Sequence, residues 1–176
     1  MSISATVLRN RKKQPGHDQT YRKSERVFVV ALRAALPRQT YDVVAKPSDL
    51  RKMFGGTHGL VPDAKITHLR TGRVMFFELK KQGERGNAEE RACKHHTARF
   101  IKSLKSELKI RYHAFATIFC DALATHPRYT KKHPYLFDPI HHFLWVDYDR
   151  RALARYVRML TRRYLTPRHS LTRRQA

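Results

Sequence analysis

Asp63, Glu78 and Lys80 are the residues whose types and spacing most directly suggest chemistry. Asp63 follows a proline, and Glu78 and Lys80 end the apolar run "GRVMFFELKK". On a β-strand, residues two apart point the same way. Val74, Phe76, Glu78 and Lys80 therefore share one face, and Met75, Phe77 and Leu79 share the other, which packs into the core. The turn signal "RTG" joins "PDAKITHL" to "GRVMFFELKK" as a hairpin, and Asp63 can then lie opposite Glu78. Two carboxylates and an ammonium would converge at one sheet end, where burying them unpaired is expensive. A divalent cation held by Asp63 and Glu78, with the backbone carbonyl of Leu79 as a further ligand, removes that cost. Oxygen ligands and retained waters suit Mg²⁺. Such a cation polarises a phosphodiester, lowers the pKa of a bound water and offsets charge on the leaving oxygen. Lys80 could orient the attacking water or stabilise the developing charge. A Glu-x-Lys pair on a strand is more often a solvated salt bridge. The hairpin, the apolar run and the charge of the chain raise the metal-dependent reading to an even match with that one.

The segment "KKQGERGNAEERACKHHTARF" follows at once. Gly83 and Gly86 permit an extended, closely approaching backbone. Asn87 stands at an N-cap position, and Ala88, Glu89, Glu90 and Arg91 form a first helical turn with acids placed to suit the macrodipole. Lys94, His95, Arg99, Lys102 and Lys105 give the helix a cationic side. A helix entering a major groove by its N-terminus presents such a turn to base edges. There Asn bonds adenine, Arg reaches a purine N7, and Glu accepts from an exocyclic amine. The alternative is an ordinary capped surface helix.

The elements that must carry these residues can be read in outline. Asp18 or Thr20 caps a helix running to Leu36 and stopping before Pro37. "YDVVAKP" reads as a short strand, and Ser48 caps a helical turn or two over "DLRKMF". A second basic helix spans Ala88 to Lys109. "HAFATIFCD" and "HHFLWVDYD" read as strands, with "ATHPRYTKKHPYLFDP" a loop between them. "RRALARYVRMLTRRYL" is an amphipathic helix with Leu153, Tyr156, Val157, Leu160 and Tyr164 on one stripe. The order suggests an α/β sandwich around a mixed central sheet flanked by helices. It would form one domain over residues 1–176, with a basic arm at 1–17 and a basic tail at 167–176.

Composition narrows the partner. The chain of 176 residues carries 37 Lys and Arg against 14 Asp and Glu, a net +23. That excess attracts polyanions, nucleic acid first and an anionic membrane second. No apolar run approaches the ~20 residues of a bilayer span, and no signal-type segment opens the sequence. Cys93 and Cys120 form no Cys-x-x-Cys pair, which points to a reduced cytoplasmic protein without structural zinc or disulfides. The pairs His95-His96 and His141-His142 do not converge as ligands, though His95 or His96 could touch phosphate. Tyr129, Lys131, Lys132 and His133 could clasp a duplex, Trp145 belongs to the core, and Glu25 reads as a helix glutamate beside Arg26. The arginines between 150 and 173 are mostly solvated, and they add salt-sensitive affinity for DNA.

Together, "PD…E-x-K" and "RGNAEERACK" resemble the type II restriction endonucleases of the EcoRI and MunI kind, within the PD-(D/E)xK nuclease superfamily. The likeness is strongest over Tyr41 to Phe100 and favours the MunI-like branch. It implies a restriction-endonuclease-like fold, with Asp63 and Glu78 as metal-binding acids and Lys80 as the catalytic lysine. It also implies a recognition segment of Gly86, Asn87, Ala88, Glu90 and Arg91 that reads an AATT core. Arg85 matches an arginine that reads the outer base pair, which would make the site CAATTG. The segment between Lys81 and Arg85 is shorter here than in the MunI-like enzymes. Superfamily members often carry an extra acid where Glu25 stands. The implied activity is Mg²⁺-dependent double-strand cleavage of a short palindrome by a homodimer, leaving a 5′ overhang. Two rivals remain at this level: a repair nuclease or junction resolvase of the same fold, and a non-enzymatic basic nucleic-acid-binding protein.

Overall fold

The computed structural model describes residues 15–53 and 59–167, with side chains from residue 22 onward. A long helix α1 (Pro15–Ala35) leads into strand β1 (Tyr41–Ala45), and β2 (Ala64–His68) and β3 (Val74–Gln82) form the hairpin. Helices α2 (Ala88–Cys93) and α3 (Ala98–Glu107) precede β4 (Phe115–Asp121). Three single helical turns follow, α4 (Ala122–Thr125), α5 (Pro127–Thr130) and α6 (His133–Leu136). Strand β5 (His142–Leu144) and helix α7 (Arg150–Leu160) complete the fold, with a π-helical turn at Thr161–Leu165.

The five strands lie in sequence order in one mixed sheet. β1, β2 and β3 pair antiparallel, while β3–β4 and β4–β5 pair parallel. Residues 115–120 of β4 are all buried, as a strand covered on both faces requires. One face packs on α1 and α7 through Phe28, Leu32, Phe77, Ile118, Trp145 and Leu160. The other face places Phe76 and Phe115 against Leu50, Met53, Phe100 and Leu104. Trp145 is fully buried, as its sequence context suggests, and its indole N–H donates to the Asp149 carbonyl at 3.0 Å.

The structure departs from the sequence expectations in several places. α1 begins at Pro15, because proline is well placed in the first turn of a helix, where its missing N–H costs nothing. Residues 49–53 form hydrogen-bonded turns rather than a helix, and Phe54 of "DLRKMF" lies outside the described residues. The single helix expected from Ala88 to Lys109 is divided. A 3₁₀ turn occupies Lys94–His96, and Thr97 starts a new helix by accepting a hydrogen bond from the Phe100 N–H at 3.2 Å. The proline-rich stretch expected to be a loop holds α4, α5 and α6, where Pro127 and Pro134 sit in first turns. The strand expected over "HHFLWVDYD" is only three residues long.

Candidate active site

The hairpin register pairs Ala64 with Phe77, so Asp63 stands opposite Glu78, one step beyond the strand. The Asp63 N–H donates to the Phe77 carbonyl at 2.9 Å. The Asp63 side chain turns back and accepts from the Leu79 N–H at 2.7 Å. Asp63 is therefore buried, with one carboxylate oxygen doing the work of a strand carbonyl. On the neighbouring strand, Lys80 Nζ lies 2.6 Å from Glu78 Oε1. Glu78 and Lys80 share one side of β3, as period-two alternation demands. The other Glu78 oxygen, Oε2, is buried with no hydrogen-bond partner. Burial first, and the Asp63 charge second, push the Glu78 carboxyl above its ordinary value. A buried carboxylate oxygen that lacks a partner, next to a second carboxylate, is short of positive charge.

Two further residues complete the group. Lys46 follows β1 and sits beside Asp63, its N–H donating to the Asp63 carbonyl at 3.1 Å. Its ammonium forms ion pairs with Asp63 and with Glu25 Oε1, the latter at 2.7 Å. The two carboxylates outweigh burial and raise the Lys46 pKa. Glu25 is thus not a solvated helix glutamate. Its side chain is 15% exposed, and burial raises its carboxyl despite the hydrogen bond from Lys46. Asp63 opens to a cleft of about 520 Å³ that is also lined by Arg22, Glu25, Arg26 and Lys46. No local sequence signal marks Lys46, because its position depends on how β1 pairs with β2.

The expected metal ligands, Asp63, Glu78 and Leu79, are adjacent at this sheet end, with the Leu79 N–H bonded to Asp63. Among the described residues, no three His, Cys, Asp or Glu side chains are grouped to hold a metal. Two carboxylates plus a carbonyl and waters is the set Mg²⁺ takes, since that ion retains water readily. The orphaned Glu78 oxygen fits a hard cation.

The segment after β3 is fixed to the same strand. Gln82, two residues beyond Lys80 on the same face, accepts from the Ala88 N–H at 2.6 Å through Oε1. Its Nε2 donates to the Tyr129 hydroxyl at 2.7 Å. That hydroxyl donates in turn to the Glu84 carbonyl at 2.8 Å. Gly86 has φ +142, and a Cβ there would run into the Gln82 side chain, so only glycine suits the position. Arg85, Gly86, Asn87, Glu90, Arg91 and Lys94 are exposed, with Ala88 half-buried. Asn87 occupies the cap position without a side-chain cap bond. Among the described residues, Arg85, Glu90, Arg91 and Lys94 form no salt bridge. Glu89 points inward and lies 3.7 Å from Lys132.

Several expected nucleic-acid contacts are internal instead. Tyr129 and His133 are fully or almost fully buried, so neither can clasp a duplex. His95 is 1% exposed, and burial pushes its pKa down to about 3, so it is a neutral core residue rather than a phosphate contact. His96 is held by Thr117 at 2.9 Å and is pushed down to about 4 by burial.

A family model described as type II restriction enzyme MunI matches residues 3–166. No curated protein matches the chain. Among solved structures, the crystal structure of MunI restriction endonuclease in complex with cognate DNA is similar, with a TM-score of 0.61 and 21% identity. The match covers 72% of this chain and 83% of that one, and it assigns the α/β restriction-endonuclease fold.

Proposed function

Since this chain belongs to the family of the type II restriction enzyme MunI, we propose that it cuts duplex DNA at a short palindromic site with an AATT core, in a Mg²⁺-dependent reaction. The observation that carries this reading is the partnerless buried Glu78 oxygen beside Asp63 and Lys80. Asp63, Glu78 and the Leu79 carbonyl would hold the ion. When bound, it supplies charge compensation for the phosphodiester and a lowered pKa for water. Lys80, held on Glu78, places its ammonium where it can orient the nucleophile or neutralise developing phosphoryl charge. Asp63 keeps the hairpin end closed through Leu79, which fixes the spacing of the two acids.

The Asn87–Arg91 turn, with Gly86 and Lys94, would read the core bases, and Arg85 the outer pair, giving CAATTG. Exposed side chains on a backbone pinned by Gln82 and Tyr129 suit base readout, which depends on a fixed approach angle. A palindrome read half by half calls for a homodimer with two active sites. The described helices include none long and apolar enough to cross a membrane, in keeping with a cytoplasmic DNA-cutting role. Family membership favours restriction over repair, junction resolution or simple binding.

A digest of sequenced plasmid DNA tests the proposal. Discrete fragments with 5′-AATT ends should appear with Mg²⁺ and vanish with a chelator. Structure-dependent nicks, or intact DNA at every metal concentration, would refute it.

A further inference from the structure

The end of the sheet opposite Asp63 and Glu78 carries an unbalanced concentration of positive charge. The β2–β3 turn, the chain after α3 and the end of α7 meet there. One cleft, of about 610 Å³, is lined by Arg73, Lys109, Arg111 and Arg163. A second, of about 540 Å³, is lined by Arg155, Arg158, Arg162 and again Arg163. The two share Arg163 and thus adjoin, and neither is lined by an acid. All seven cationic residues are exposed. Among the described residues none of them takes part in a salt bridge.

Three of the guanidinium groups are positioned by the protein. Arg73 donates to the Tyr164 carbonyl at 3.2 Å, Arg158 to the Ala35 carbonyl at 3.1 Å, and Arg163 lies over the Tyr164 ring. A nearby acid, Asp149, caps α7 by accepting from the Arg151 and Ala152 N–H groups. Gathering seven like charges costs self-repulsion; among the described residues no acid reaches ion-pair distance of them, and the exposed Asp149, which feels the Arg155 charge, offsets part of that cost.

We propose that this belt is a second, non-catalytic site for duplex DNA, which lets the enzyme hold one DNA segment while acting on another. The proposal rests on the reading that duplex DNA is the substrate. The belt lies about 17 Å along β3 from Glu78, at ~3.3 Å per residue over the five residues from Arg73. Arg155 and Arg162 are two helical turns apart, about 10 Å. That span covers several charges of a duplex bearing one per ~1.7 Å, so the belt suits a polymer better than a lone phosphate. The belt and the two acids lie at opposite ends of β3, so a duplex seated on the acids would have to bend around the domain edge to reach the belt, against a persistence length of about 150 base pairs.

The test uses the full-length protein and the triple variant Arg111→Ala/Arg155→Ala/Arg162→Ala, which leaves the three positioned arginines in place. An immobilised duplex carrying the cleavage site is loaded with protein without metal, and capture of a second, fluorescent 20-base-pair duplex lacking the site is measured against salt. Wild type should capture it. The variant should lose at least about tenfold, and its log–log salt slope should fall by about 2.7, at ~0.9 per phosphate contact removed. With Mg²⁺, both proteins should cut a short one-site duplex at rates within about twofold. Should the triple variant fail to fold, Arg155→Gln and Arg162→Gln singly, each expected to lose about threefold, carry the test. Equal capture by both proteins would overturn the proposal. So would a parallel loss of short-duplex cleavage, which would assign the belt to the substrate cleft. Competition by inorganic phosphate as strong as by duplex would overturn it too. Capture that is lost in the variant while neither protein cuts any duplex would leave the belt standing and refute the proposed function instead.

Discussion

Asp63 holds two jobs that a pair of substitutions should separate. Its Oδ2 accepts from the Leu79 N–H, and its other oxygen meets Lys46. Asp63→Ala removes both acceptors. The Leu79 N–H loses its buried Asp63 acceptor, at a cost of about 1–3 kcal/mol. Lys46 is nearly half exposed and keeps Glu25, so its loss adds little. A partial offset comes from Glu78, whose carboxyl is raised in part by the Asp63 charge and relaxes when that charge goes. The net expected loss is about 1–2 kcal/mol, or a fall in Tm of roughly 2–8 °C for a chain of this size. Asp63→Asn can still accept from Leu79, so its Tm should stay within about 2 °C of wild type. Both variants should lose Mg²⁺-dependent cleavage, because neither offers a charged oxygen to the ion. Calorimetry and a timed plasmid digest read the two effects separately. If alanine leaves Tm unchanged, the Leu79 contact is not structural. If asparagine cuts at the wild-type rate, Asp63 is not a metal acid.

Other outcomes follow from the same geometry. Lys80→Ala should abolish cutting while duplex binding in a gel-shift assay stays near wild type; undiminished turnover would remove Lys80 from the chemistry. Arg91→Ala should reduce discrimination at the core of the site by about 1–3 kcal/mol, measured as cleavage of cognate against singly altered duplexes, whereas a uniform loss across all sequences would mark a phosphate contact. Tyr129→Phe removes the anchor of the Gly83–Glu84 backbone and should cost about 1 kcal/mol of stability with a larger loss of site preference; unchanged preference would show that the segment does not need its pin. Burial holds His95 and His113 down to about 3 and His133 down to about 4. Below the unfolded value of ~6.5 the unfolded chain binds protons that the folded one refuses, so stability is full above that pH and falls as pH drops towards 4. Three such groups give a slope approaching about 4 kcal/mol per pH unit, which urea midpoints at pH 7, 6 and 5 would detect and a flat profile would contradict.

The hairpin that presents Asp63, Glu78 and Lys80 was legible because strand alternation is a local property, written in residues 72–81. The exposed turn from Gly86 to Arg91 was legible for the same reason. Lys46 and Glu25 were not. Their approach to Asp63 depends on β1 pairing with β2 and on α1 crossing the sheet, neither of which a short window of sequence encodes. The role of Tyr129 was hidden in a proline-rich stretch whose helical turns are too short to show periodicity. The break between α2 and α3 had a signal in Thr97, a cap residue in mid-run, which the continuous basic pattern masked. The burial of His95 and His133 was hidden because polarity in sequence does not reveal that their rings pack against Phe115 and Phe119 inside.

Glu78, Lys80 and Gln82 are consecutive teeth on one side of a single comb, and the third tooth hooks the start of α2. If α2 is seated against bases as proposed, it tugs on the backbone that carries Glu78 and Lys80. An engineer who transplants a foreign reading head after position 82 must carry over the glutamine and its tyrosine latch. Otherwise the new enzyme will find its address and cut there poorly.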